Sequence, residues 1–192
     1  MTTQNFQPRT ALLLLFILAT GLVRVLFNFN HDISALANFS PLGAMALFGG
    51  AYFKQQWKGF VFPLLTLFIS DVVLHQTVFK AYGNGFLYSG WYWVYGAIAL
   101  MTIVGRLLLQ RPTVGRFLLS TLVCVLIHWI VTDLGVWIGS TTWPQTLSGF
   151  MACLTAAIPF EWRFLTGTLV YGLILFGSFE YLTRRSSSTV IA

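Results

Sequence analysis

Charged residues are scarce in this sequence. Only 8% of its 192 residues are Asp, Glu, Lys or Arg, whereas a soluble globular domain carries roughly 25%. Hydrophobic residues make up 57% of the chain, and its mean hydropathy is +0.77. So few charges cannot cover a water-facing surface, which excludes a nucleic-acid-binding module, a secreted disulfide scaffold and a disordered chain. The composition indicates an integral membrane protein.

Cysteines and catalytic motifs are also lacking. Cys124 and Cys153 both lie in apolar stretches outside any CxxC or Cys/His pattern, so we interpret them as small core residues. The sequence contains no GxSxG, no HExxH and no phosphate-binding glycine loop. We therefore expect no enzymatic activity and no resident cofactor.

Long apolar runs fill most of the chain. At roughly 20 residues per membrane crossing, they predict an all-α protein with six transmembrane helices in one membrane domain, 1–192. The second span is short and rich in small residues, which predicts close packing against its neighbours. An interfacial or half-membrane helix is expected at about 147–157, before the last span, and a seven-span count is the alternative. The predicted spans are 10–27, 41–53, 59–74, 88–109, 117–138 and 164–182.

Basic residues predict the orientation of these spans. With six spans and a cytoplasmic N-terminus, eight basic residues fall on the inner side and two on the outer side, a strong positive-inside bias. Both termini are then cytoplasmic, in a bacterial inner membrane. The inner set is Arg9, Lys54, Lys58, Arg106, Arg111, Arg116, Arg184 and Arg185, and the outer set is Lys80 and Arg163.

Ionisable residues near the membrane gather in one leaflet under this topology. Such groups are costly in hydrocarbon and usually face a bundle interior or a wet cavity. Because the inner half is nearly bare of them, an outward-facing pocket fits better than a continuous ion path. The outer-half residues are Arg24, Asp71, His75, His128, Asp133, Glu161 and Arg163.

A binding site is predicted at this outer end. Asp71 and His75 share one face of a helix, as do Trp129, Asp133 and Trp137, an arrangement suited to stacking a planar ligand. For most tryptophans the ordinary interfacial belt explains the position as well, and Arg24 with an aspartate is equally a structural ion pair. The predicted substrate-binding residues are Arg24, Asn38, Ser40, Pro41, Asp71, His75, Trp129 and Asp133.

Four segments carry a family resemblance. NFSPLGAMALFGGAYF (38–53), FPLLTLFISDVVL (62–74), TWPQTLSGFMACLTAAIPF (142–160) and GTLVYGLILFGSFEYL (167–182) resemble small bacterial membrane transport proteins. These are similar to the S-components of energy-coupling-factor vitamin transporters. The resemblance implies a six-helix protein that captures a vitamin from outside, and its nearest analogue is a solitary cobalamin transporter.

The resemblance also implies particular partners and contacts. His75 would occupy the place of the analogue's cobalt-ligating side chain, although that ligand is a cysteine, so cobalamin is expected as a substrate. Docking on an energising module usually accompanies an Ala-x-x-x-Ala pair in the first span. Here Ala11 and Ala19 are eight apart, so the pattern is incomplete and a solitary transporter is an alternative. The expected partners are the lipid bilayer and a small solute, and no nucleic acid.

A second class of function also accounts for the small-residue faces. Glycines 49 and 50 with Ala51, and the face of Ser148, Ala152 and Ala156, would equally pack the helices of partner proteins. The alternative is therefore a non-transporting membrane subunit or assembly factor. A membrane enzyme using His128 and Asp133 is less well supported, since a spacing of five places them on different helical faces.

Overall fold

The fold is described from a computed structural model that covers residues 38–53, 55–77 and 87–188, with side chains to residue 183. Single positions 15, 19, 22, 23 and 26 are also described, and all five are helical. Within these residues the chain is all-helical, with no strand. The five helices are α1 Leu42–Tyr52, α2 Gln56–Thr77, α3 Trp91–Leu108, α4 Val114–Trp137 and α5 Leu147–Ser188.

Helices α2 to α5 are each long and apolar enough to cross a membrane. Their outward faces carry large apolar side chains, as one stripe along α4 illustrates. Leu118, Leu122, Leu126 and Ile130 recur every four residues and are 46–54% exposed. Residues four apart lie on one face of a helix, and such a face is favourable against lipid or another apolar helix and unfavourable against water. The chain is a membrane-embedded, all-α protein, as its composition predicted.

Helix α1 is the short centre of the bundle. Its 11 residues span about 16 Å, roughly half of the hydrocarbon thickness. Every residue from Leu42 to Gly50 is buried, and α1 contacts α2, α3, α4 and α5. The segment predicted as a short, protein-packed span is therefore a core helix surrounded by the longer ones.

Close backbone contact joins α1 to α3. A Cβ atom added to Gly50 would lie 2.6 Å from the backbone nitrogen of Arg106, and one added to Gly105 would lie 2.8 Å from Cα of Leu47. Both distances are too short for real atoms, so glycine is required on each side of the contact. Small residues allow this approach, as is general for helices in membranes.

The prediction of six spans is not supported by the described residues. The interfacial helix expected at 147–157 and the last span expected at 164–182 are one continuous helix, α5, of 42 residues. We predicted a break because Pro159, Glu161 and Arg163 interrupt the apolar pattern. The helix continues because Glu161 pairs with His128 of α4, and because membrane helices tolerate an internal proline. The first predicted span, 10–27, lies largely outside the described residues.

An aromatic cluster fills the end of the bundle where α1 finishes. The ring of Phe48 lies 4.7–5.4 Å, centroid to centroid, from those of Tyr52, Phe176 and Phe179. The Tyr52 hydroxyl donates a hydrogen bond of 2.5 Å to Oε1 of Glu180. These packed rings close this end of the bundle, which we call the aromatic end.

Candidate functional site

Two neighbouring cavities lie at the opposite end of the bundle, where α1 begins. They share Asn38, His128 and Thr132 on their walls. The smaller cavity has a volume of about 240 Å³ and the larger about 290 Å³. Ser40, Leu42, Leu67, Tyr88, Val94, Ile98 and Phe164 complete the smaller one. Asp133, Val136, Trp143, Cys153, Ala156, Ala157, Phe160 and Glu161 complete the larger one.

A histidine–glutamate pair joins α4 to α5 between these cavities. Nδ1 of His128 lies 2.8 Å from Oε1 of Glu161, and this hydrogen bond becomes an ion pair when the imidazole is protonated. The imidazole stacks on the ring of Phe164, with centroids 4.1 Å apart and planes inclined by 17°. The Thr132 hydroxyl donates to the carbonyl of His128, 2.7 Å away. The stacking on Phe164 thus fixes the imidazole beside Glu161, whereas the Thr132 bond is to the backbone of its own helix.

Two carboxyl groups of the larger cavity are only partly satisfied. Glu161 is 6% exposed, and its second oxygen, Oε2, has no hydrogen-bond partner in the described part of the chain. Asp133 is 8% exposed and accepts a weak contact from the Cys153 thiol, whose sulfur lies 3.8 Å from Oδ1. Buried carboxylates normally accept hydrogen bonds from several strong donors. The carboxyl oxygens of this cavity can therefore accept further hydrogen bonds.

The two tryptophans predicted to flank Asp133 have structural contacts of their own. Nε1 of Trp129 donates to the carbonyl of Leu154 at 2.9 Å, and Nε1 of Trp137 donates to that of Pro144 at 2.8 Å. Trp129 lines an apolar groove between α4 and α5, and it lines neither of the two cavities. These indoles tie the start of α5 to α4, and the structure does not bring Trp129 together with Asp133 on one cavity wall.

Asp71 and His75 are buried near the end of α2, at 3% and 6% exposure. They line neither of the two cavities. Both ring nitrogens of His75 are buried without a hydrogen-bond partner among the described residues. In that part of the chain, no group of three or more His, Cys, Asp or Glu is arranged to hold a metal ion.

Three of the remaining predicted residues lie around the start of α1. Asn38 and Ser40 line the smaller cavity, and Oγ of Ser40 accepts from the amide of Leu42 at 3.3 Å. Pro41 is the buried residue that precedes α1. Arg24 lies outside the described residues.

His128, Thr132 and Glu161 line the cavities but are not among the predicted binding residues. Helical spacing separates His128 from Asp133, because five residues place them about 140° apart on a helix. Both nevertheless line the larger cavity. Their acidic partner, Glu161, lies 33 positions along the chain from His128, and the available signal was an ionisable residue inside an apolar run.

These features define an all-α membrane protein with a polar cavity at one end of its bundle and an aromatic closure at the other. Residues 4–189 match a family of unknown function, DUF6580, and the chain belongs to that family. No curated protein and no solved structure matches the chain significantly.

Proposed function

We propose that the protein takes up a small organic solute, which it binds in the cavities at the start of α1. Lys58 at the start of α2 and Arg111 and Arg116 around the start of α4 lie toward the aromatic end, where Phe117 contacts Phe176. By the positive-inside rule that end would face the cytoplasm of a bacterium, and the cavities would face outward. Solute binding there and reorientation within the membrane would together accomplish transport. The resemblance to vitamin-binding S-components is consistent with this function.

The paired cavities are the observation that carries this proposal. Ligand sites are concave and mostly apolar, with a few converging polar groups, and two joined cavities with Asn38, His128, Asp133 and Glu161 on their walls fit that description. At the opposite end the rings of Phe48, Phe176 and Phe179 pack on one another, an arrangement that favours capture of a solute at one end over a continuous channel.

Filling the larger cavity is expected to abolish solute binding. Ala156 lines this cavity and is exposed, so Ala156→Trp places an indole in it without disturbing the core. Native mass spectrometry in mild detergent should find a small molecule on the wild-type protein and none on the variant.

Ala152→Trp is the matched control for this experiment. Ala152 lies one turn earlier on the same exposed face and lines neither cavity, so this variant should retain the solute. A ligand-free wild-type protein that always elutes with a second polypeptide would contradict the proposal. That result would favour a non-transporting subunit, for which the exposed face of Ser148, Ala152 and Ala156 provides a packing surface.

Cobalamin as the solute is a second version of the proposal, favoured by His75. An imidazole with two unpartnered, buried nitrogens is a suitable metal ligand once a helix movement opens its surroundings. Added cobalamin should then show an absorbance shift on wild-type protein that His75→Ala abolishes. An unchanged spectrum with the wild-type protein would exclude cobalamin as the solute. A smaller molecule would then be the candidate, and the cavity volumes accommodate such a molecule more readily than a corrin ring.

A further inference from the structure

The larger cavity has an unbalanced set of charges. Among its described lining residues are two carboxyl groups, on Asp133 and Glu161, and one imidazole, on His128. Lysine and arginine are absent from that described lining. Arg163, the nearest cation along α5, has its guanidinium carbon 5.7 Å from the centre of the Phe160 ring and does not line the cavity. Among the described residues, this cavity therefore has one carboxyl group more than its imidazole can pair with.

In this cavity, the buried carboxyl oxygen without a partner among the described residues is Oε2 of Glu161. Glu161 is more than nine-tenths buried, His128 occupies Oε1, and Oε2 has no partner in the described residues. Leaving a buried charged acceptor unsatisfied costs more free energy than leaving a neutral one unsatisfied. A donor carried by a ligand would remove that cost on binding.

The other walls of the cavity favour an organic cation over a metal ion. Calcium and magnesium require six or more oxygen ligands, whereas the described lining includes the aromatic rings of Trp143 and Phe160 and the apolar side chain of Val136. Aromatic faces attract ammonium groups that carry hydrocarbon substituents. Carboxylate and aromatic groups together form the usual surroundings of a bound alkylammonium.

We infer that the solute carries a positively charged organic ammonium group, which binds in the larger cavity against Glu161 and Asp133. This inference rests on the proposed uptake function and names the chemical class of its substrate. The cavity of about 290 Å³ admits a compact head group of this kind. The uncharged part of the solute then extends toward the smaller cavity past Asn38 and Thr132, which both cavities share.

The test compares two probes of the same shape that differ in charge. Choline carries a trimethylammonium group, and 3,3-dimethylbutan-1-ol is its neutral isostere. Calorimetric titration of the purified protein in detergent should show choline binding at least about tenfold more tightly than the alcohol. Glu161→Gln should remove this preference, and Asp133→Asn should weaken it if the first variant does not fold. Glu180→Gln, which removes a carboxylate at the aromatic end, should leave it unchanged.

Two results would overturn the inference while leaving the proposed function intact. One is equal binding of choline and the alcohol, unaffected by Glu161→Gln. The other is binding of neither probe by a protein that still carries a solute removed by Ala156→Trp. If no solute is carried by the wild-type protein and neither probe binds, the inference and the proposed function both fail.

Discussion

Replacing Gly105 by alanine is expected to lower the melting temperature of the protein by several degrees. The added methyl group would lie 2.8 Å from Cα of Leu47, so α1 and α3 must move apart. Overpacking of this kind costs about 1–3 kcal/mol, which corresponds to roughly 2–12 °C for a chain of this size. Thermal unfolding in detergent, followed by circular dichroism or intrinsic fluorescence, measures the shift.

Gly96→Ala provides the control on the same helix. Gly96 is exposed, and a Cβ atom there meets nothing within 4 Å. Alanine is the better helix former, so this variant should melt at the wild-type temperature or slightly above it. Equal melting temperatures for the two variants would show that α1 and α3 do not pack as closely as described.

Replacing His128 by phenylalanine is expected to destabilise the protein by about 3 kcal/mol. Phenylalanine preserves the volume and the stacking on Phe164, but it removes the nitrogen that pairs with Glu161. Removing one partner of a fully buried ion pair costs about 3–5 kcal/mol, because the other charge stays buried and unpaired. The lower end of this range applies here, because the His128 side chain is 16% exposed. Unfolding by denaturant in detergent gives the difference in free energy.

A double-mutant cycle separates the pair from its surroundings. His128→Phe combined with Glu161→Leu should recover most of the lost stability, since no unpaired charge then remains. Tyr52→Phe, which removes the hydrogen bond to Glu180 at the aromatic end, should cost only about 1 kcal/mol. If His128→Phe unfolds at the wild-type denaturant concentration, the pair contributes no stability, and apolar packing together with the Trp129–Leu154 hydrogen bond holds the two helices.

Composition and local pattern were sufficient for the class of protein and for most of its helices. Scarce charge predicted a membrane protein, and the small residues between Leu42 and Gly50 predicted a short helix in close contact with others. Local pattern failed at Pro159 and Glu161, where a proline and a charge suggested a boundary. Whether such residues end a helix depends on a partner from another helix, and His128 is 33 positions away.

The candidate site was only partly predictable for the same reason. Of the predicted binding residues, three line the cavities: Asn38, Ser40 and Asp133. Their signal in the sequence was a polar or ionisable side chain at one end of the predicted bundle. Trp129 shares a helical face with Asp133 by its spacing in the sequence. Its indole nitrogen nevertheless donates a hydrogen bond to the backbone carbonyl of Leu154 in α5. Helical periodicity fixes the direction of a side chain, and the neighbouring helix decides whether that direction leads into a cavity or against a backbone.

Helix α5 is continuous, so it connects the cavity end of the bundle to the aromatic end as one element. Glu161 at the cavity and Glu180 beside Tyr52 lie on a proline-free stretch of this helix, separated by about 28 Å along its axis. A tilt of about 10° pivoting at one of these carboxylates would carry the other through about 5 Å, by the geometry of a straight helix. If α5 moves as one body, a displacement of Glu161 would therefore also displace Glu180 and its hydrogen bond to Tyr52.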